Sequence, residues 1–232
     1  MKYLSLTLLL FSLPSWAGGY LELSGGVLHK QLKGDSKSYK SSQSFLTEAS
    51  LGHQWVNWDF SLDTMYSIGR QKDFNFSYLQ SANGDDYNWH SVSVGPTLKY
   101  HIYSESGTWS WAPFAGVFYN HTSADNSAKF TDLTTGKTED NSHESWGYGG
   151  KLGVQFKQYT QSSSWVESIS YKVFGSYTKY RKTEGDYLKN NRILEFKGDT
   201  PDKLHDYSVG VSVGFAIGDK LFSKAKNAVG LK

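Results

Sequence analysis

Residues 206–217 read DYSVGVSVGFAI. Tyr207, Val209, Val211, Val213, Phe215 and Ile217 fall on one side of the alternation; Ser208, Gly210, Ser212, Gly214 and Ala216 fall on the other. A period of two marks a β-strand whose faces meet different surroundings. The strand alone permits two solutions. A soluble sandwich buries the valines and wets the serines. A membrane barrel turns the valines to lipid and lines its lumen with the small polar residues. The choice rests on the rest of the chain.

The first residues, MKYLSLTLLLFSLPSWAGG, carry one positive charge at Lys2, an apolar run over 4–13, and small residues at Ser15 and Ala17. This is the pattern of a secretory signal peptide over 1–17. The remainder is about 215 residues, the size of one ordinary domain. The net charge of +2 includes Lys2, so no strongly basic surface is implied and nucleic acid is not an expected partner. The chain has no cysteine, so an exported domain of this composition needs a source of stability other than disulfides. No apolar run near 20 residues follows the signal, which excludes a helical membrane protein but not a β-barrel. Aromatic residues make up 16% of the chain, a level that favours extensive β-structure or membrane interfaces.

Eight segments alternate with period two: 19–30, 45–55, 58–69, 89–103, 110–121, 144–157, 165–180 and 207–217. Most reach the ~9–11 residues that a tilted membrane strand needs. Their connections are sorted. After the second, fourth and sixth segments they are short; after the first, third, fifth and seventh they are long and polar. Membrane barrels sort their connections this way, with short periplasmic turns and long outer loops. Aromatic residues flank both ends. Trp55, Trp58, Tyr103, Trp111 and Trp165 lie at the short turns; Trp146, Tyr177 and Tyr207 lie toward the long loops, with Trp89 and Tyr180 at similar heights. Two such belts match the girdles that sit at membrane–water boundaries.

The expected architecture is therefore an all-β, eight-stranded antiparallel up-and-down transmembrane barrel over 18–218. The tail 219–232 has Leu221, Phe222, Ala225, Ala228 and Val229 on one helical face, consistent with a short amphipathic helix on the periplasmic side.

Charges on the small-residue parity must face the lumen, because lipid would not accept them at mid-bilayer. These are Glu22, Glu48 and Asp63 on the first three strands and Lys99, Lys151 and Lys172 on the fourth, sixth and seventh. An acidic wall facing a basic wall is expected, with Glu48 opposite Lys151 and Asp63 opposite Lys172. In so narrow a barrel side chains fill the interior, so a polar plug is favoured over an ion path.

The hairpin VGPTLKYHIY…WAPFAGVFYN and the eight-strand layout resemble the small bacterial outer-membrane barrels of the OmpA, OmpX and OmpW type. The resemblance implies insertion into the outer membrane by the barrel-assembly machinery, contact with outer-membrane lipid and lipopolysaccharide, and a monomer. It also implies porin-like, structural, adhesive, envelope-stress or small-solute-passage roles. Two alternatives stand beside it. The residues His121 and Ser123, with Glu144 opening the next strand, resemble a PagL-like lipid A deacylase; Ala124 replaces the Asn that such enzymes carry after the Ser. A soluble periplasmic lipocalin-like carrier would share the strands but place its large apolar residues inside. No cofactor motif and no metal site is read from the chain: His29 and His205 would approach where the barrel closes, without a carboxylate at ligand spacing. Asp85 and Asp86 after Gly84 read as an acidic turn.

Overall fold

The computed structural model describes residues 19–34, 42–71, 87–160, 166–189, 192–199 and 204–218. The signal segment, the C-terminal tail, Trp165 and the Asp85-Asp86 turn lie outside them. The strands are β1 (Gly19–Lys33), β2 (Ser42–Trp55), β3 (Trp58–Gln71), β4 (Tyr87–Tyr100), β5 (Ile102–Tyr103), β6 (Trp109–Thr131), β7 (Thr138–Tyr159), β8 (Ser168–Lys189), β9 (Arg192–Asp199) and β10 (His205–Gly218). All neighbours pair antiparallel. β10 pairs with β8 on one side and β1 on the other, so eight strands close into a barrel. Closure leaves no unpaired edge, the condition for a β-structure to sit in hydrocarbon. β5 continues β4 beyond a break at His101, and β9 folds back on the end of β8 outside the closed wall.

Two of the long connections are built differently from their sequence reading. The stretch 122–143 continues the wall as a β6–β7 hairpin that turns between Thr131 and Thr138. Asp132 accepts hydrogen bonds from the backbone N–H of Thr134 (2.8 Å) and Thr135 (3.0 Å), and Gly136 supplies a positive φ of 70°. That is turn chemistry, and Thr-rich flanks suit strands. The stretch after Tyr180 likewise continues as β8 and returns as β9. Polarity kept these segments from reading as barrel wall, yet cross-strand hydrogen bonding needs no apolar face.

The sides of the wall are inverted relative to a soluble protein. Outward residues include Val209, Val211, Val213 and Phe215 on β10, Phe60 and Leu62 on β3, Val92, Val94 and Leu98 on β4, and Leu152 and Val173 on β7 and β8, all exposed. Inward residues are buried, and many are charged. A lipocalin-like carrier is excluded by this order: its exterior would be an apolar band with no water-facing polar cover.

The lumen is not lined by small residues alone. Leu28, Leu46, Met65, Trp89, Phe114 and Phe174 form a buried apolar layer across it. Two lumen glycines are sockets for these rings. A Cβ on Gly210 would meet the Phe174 ring at 2.5 Å, and one on Gly153 the Phe114 ring at 2.5 Å. Ring and glycine together fill the volume that two medium side chains would need.

Candidate functional site

Three polar groupings and the apolar layer fill the barrel interior. At the short-turn end, Asp59 is fully buried. It accepts a hydrogen bond from Tyr20 Oη at 2.7 Å. Lys99 Nζ lies 3.5 Å from Asp59 and donates to Tyr20 Oη at 2.8 Å. His101 holds Nε2 3.3 Å from Asp59 and Nδ1 3.0 Å from Ser110 Oγ. Lys157 lies over the Tyr20 ring, 4.7 Å from its centroid.

The middle grouping contains the charges singled out by strand parity. Lys151 Nζ reaches Asp63 at 2.6 Å and Glu48 at 3.2 Å. Lys172 Nζ reaches Glu22 at 2.6 Å and Glu48 at 3.3 Å. Gln155 Nε2 donates to Glu22 at 2.9 Å. Glu48 thus bridges two lysines, and each lysine bridges two carboxylates. Asp63 is joined to Lys151 rather than to Lys172, which reaches back to Glu22 on β1. Barrel shear displaces facing strands along the axis, so counting residues from the short turns gives the wall but not every partner. Lys99 belongs to the grouping below, with Asp59.

At the long-loop end, Lys30 Nζ is 3.0 Å from Asp206 and donates to Tyr180 Oη at 3.0 Å, which in turn donates to Asp206 at 2.7 Å. The Lys30 ammonium also sits over the Trp89 ring at 4.4 Å. Trp89 and Tyr180 are therefore lumen residues, 4% and 3% exposed, and not belt residues. Their heights suggested a belt, but Trp89 shares the inward parity of Ser91 and Ser93, and Tyr180 that of Lys172. Asp59, Lys157, Lys30, Asp206 and Tyr20 carry the same parity signal. His101 carries it too: it lies two residues beyond Lys99 on the same parity and is fully buried.

Desolvating so many ions is costly unless each is paired and hydrogen bonded. Here Glu22, Glu48, Asp59 and Asp63 are set against Lys99, Lys151, Lys157 and Lys172, and Lys30 against Asp206. Charge balances, and the side chains of all ten are buried. Such an interior ties facing strands to one another across the lumen.

The exterior carries the remaining candidates. Trp55, Trp58, Tyr103 and Trp111 are exposed at the short-turn end, and Tyr177 and Tyr207 at the other. Trp146 is half-buried, stacked on His121 at 5.1 Å. His121 Nε2 lies 3.4 Å from Glu144 Oε2. Ser123 is the register partner of Glu144 on one side and of His90 on the other. The intervening hairpin, not a free loop, brings His121 and Glu144 together. His29 and His205 do not meet: His29 pairs in register with Val209, and His205 with Lys33.

A closed antiparallel sheet with an apolar outside and an ionic inside defines a small transmembrane β-barrel. No protein-family model matches the chain, and no curated protein does. Solved outer-membrane barrels do. Neisserial surface protein A is 15% identical over 84% of this chain and 96% of its own, with a TM-score of 0.43. Ail, the attachment invasion locus protein of Yersinia pestis, is 16% identical over 86% of this chain and 99% of its own, with a TM-score of 0.42. A major outer membrane protein from Thermus thermophilus is 11% identical over 85% of this chain and 99% of its own, with a TM-score of 0.47.

Proposed function

We propose that this protein is a non-conducting barrel of the bacterial outer membrane, exported by its signal segment and inserted by the barrel-assembly machinery as a monomer. Its roles are structural or adhesive and are carried by its exterior and its long-loop end. One observation carries this reading: the lumen holds buried ion pairs at three heights with an apolar cluster packed among them. A porin-like role needs an aqueous channel, which barrels of this strand number lack when side chains fill them. Planar-bilayer recording of the refolded protein tests it. The expected record is a quiet baseline; large, steady conductance steps would overturn the plugged lumen.

A second reading rests on the outward trio. A His–carboxylate pair beside a serine is the arrangement that activates a hydroxyl nucleophile, and these three face the side where a lipid substrate lies. In that reading Ser123 is the nucleophile, His121 its base and Glu144 the group orienting the base. Mass spectrometry of lipid A from expressing cells decides it. Loss of one acyl chain that Ser123→Ala abolishes would establish a deacylase; unchanged lipid A removes it.

A further inference from the structure

We infer that the lumen binds ordered water between Lys157 and Glu22, and that this water bridges the two residues and so joins the short-turn grouping to the middle one. Five side-chain atoms on adjoining strands carry the inference. Ser24 Oγ, Gln155 Oε1, Ser168 Oγ, Ser170 Oγ and Ser212 Oγ are buried without a hydrogen-bond partner in the protein. Buried polar atoms left unpaired are costly and uncommon, so five on one wall call for a ligand.

Register places them together. Ser24 pairs with Gly214, Gly214 with Ser170, and Ser170 with Lys157. On the next rung toward the long loops, Ser212 pairs with Lys172 and Lys172 with Gln155. On the next rung toward the short turns, Ala216 pairs with Glu22 and with Ser168. Across β1, β10 and β8 these three rungs carry only Ser, Gly or Ala on the lumen side, apart from Glu22 and Lys172. Higher up, Gly210 and Gly153 receive the Phe174 and Phe114 rings. The three atoms nearest a Cβ on Gly214 belong to Ser24, the Leu23 backbone and Ser170, and none is part of a ring. Small polar side chains with no ring over them give a water site both its room and its lining.

Charge selects the ligand. Lys157 is buried with its ammonium 4.7 Å from the Tyr20 ring centroid and 5.8 Å from that of Tyr159. Among the described residues, the lumen carboxylates form their ion pairs with other lysines. With His101 neutral, the short-turn grouping sets Asp59 against Lys99 and Lys157, one cation in excess. The middle grouping sets Glu22, Glu48 and Asp63 against Lys151 and Lys172, one anion in excess. Lys157 offers only donors, whereas Glu22 and Gln155 Oε1 offer only acceptors. Water accepts from the first and donates to the others, and a bridging water is nearly as favourable as a direct bond. An anion would accept from Lys157 but meet the Glu22 charge and leave Gln155 Oε1 unpaired. Six polar groups, at roughly three hydrogen bonds per buried water, correspond to about two waters.

The test is magic-angle-spinning NMR of the full chain in lipid vesicles, reading magnetisation transfer from water to the lysine ammonium groups. Lys151, which holds Asp63 and Glu48 directly, is the internal control. A water cross-peak is expected at Lys157 and none at Lys151. Ser168→Val/Ser170→Val, which fills the space with methyl groups, is expected to lose the Lys157 peak; Ser168→Ala/Ser170→Ala, which disturbs the wall less, is expected to weaken it. No peak at Lys157, equal peaks at the two lysines, or a peak unchanged in both variants overturns the site. A Lys157 resonance that shifts when chloride is exchanged for bromide assigns the position to an anion and overturns the water. Conductance separates this inference from the plugged lumen: steady current steps together with the Lys157 peak would sink the plug and leave the water site standing.

Discussion

Lys151 is the side chain on which the middle of the lumen turns. It joins Asp63 and Glu48, and its own side chain is 7% exposed. Removing one member of a buried pair leaves an uncompensated charge and costs about 3–5 kcal/mol. Urea unfolding in lipid vesicles of Lys151→Ala is expected to show a loss of that size. Asp63→Leu/Lys151→Met, which removes both charges, is expected to recover most of it, since Glu48 keeps Lys172. Equal losses in the two variants would mean that packing, not ion pairing, sets the cost. A second residue-scale effect lies outside the apolar band, beyond Trp146. Burial holds the His143 imidazole down at about 4 from its ordinary 6.5. The opened hairpin binds a proton in that interval that the closed one refuses. Closed-state stability is therefore full above about 6.5 and declines as pH falls toward 4. Amide protection factors in the β6–β7 extension, with the intrinsic pH dependence of exchange divided out, are expected to fall between pH 7 and 5, and His143→Gln is expected to flatten that response.

At the scale of elements, the β2–β3 turn is held against local preference. Val56 adopts φ 53°, a left-handed conformation that a β-branched residue avoids. Three hydrogen bonds hold it: His101 N–H to the Asn57 carbonyl (2.6 Å), Asn57 Nδ2 to the His101 carbonyl (2.7 Å), and Tyr103 Oη to the Val56 carbonyl (3.1 Å). The same contacts pin the β4–β5 break at His101. Two-residue hairpin turns favour Asn or Gly at such positions, so Val56→Asn is expected to stabilise the barrel by about 1 kcal/mol. A rise in the urea midpoint at unchanged slope checks it; a fall would mean that the Val56 side chain contributes more at the membrane boundary than its backbone costs. The elements also show what the sequence discloses and why. Strand parity identifies Glu22, Glu48, Asp63, Lys99, Lys151 and Lys172 as lumen groups, because a period of two survives wherever the ladder is regular. It would have identified Asp59, Lys157 and Lys30 by the same rule. Trp89 and Tyr180 are misplaced when height is read without parity. His101 has the parity of Lys99 and is legible by the same rule, whereas the cross-barrel partner of Asp63 is hidden because shear is a property of the closed sheet, not of any strand.

For the whole molecule, stability comes from closure and from a filled interior rather than from disulfides, since the chain has no cysteine. The two groups of interior contacts divide the work. Ion pairs near the short turns, at mid-height and at the long-loop end tie facing strands together, and the apolar cluster packs among them, with Met65 in register with Glu48 and Phe114 with Lys99. Outside the lumen the molecule presents the β6–β7 and β8–β9 extensions and the outward trio of His121, Ser123 and Glu144. Because the chain has no cysteine, a single introduced thiol is a unique reporter. The most direct measurement is therefore a spin-label scan of positions 207–217 in lipid vesicles, reading collisions with oxygen in the bilayer and with a water-soluble nickel complex. Labels at 209, 211 and 213 are expected to collide with oxygen and not with nickel, while labels at 208, 210 and 212 collide with neither. Nickel access at 208, 210 and 212 would show a wet lumen, and oxygen access on that parity in place of 209, 211 and 213 would contradict the inside-out barrel itself.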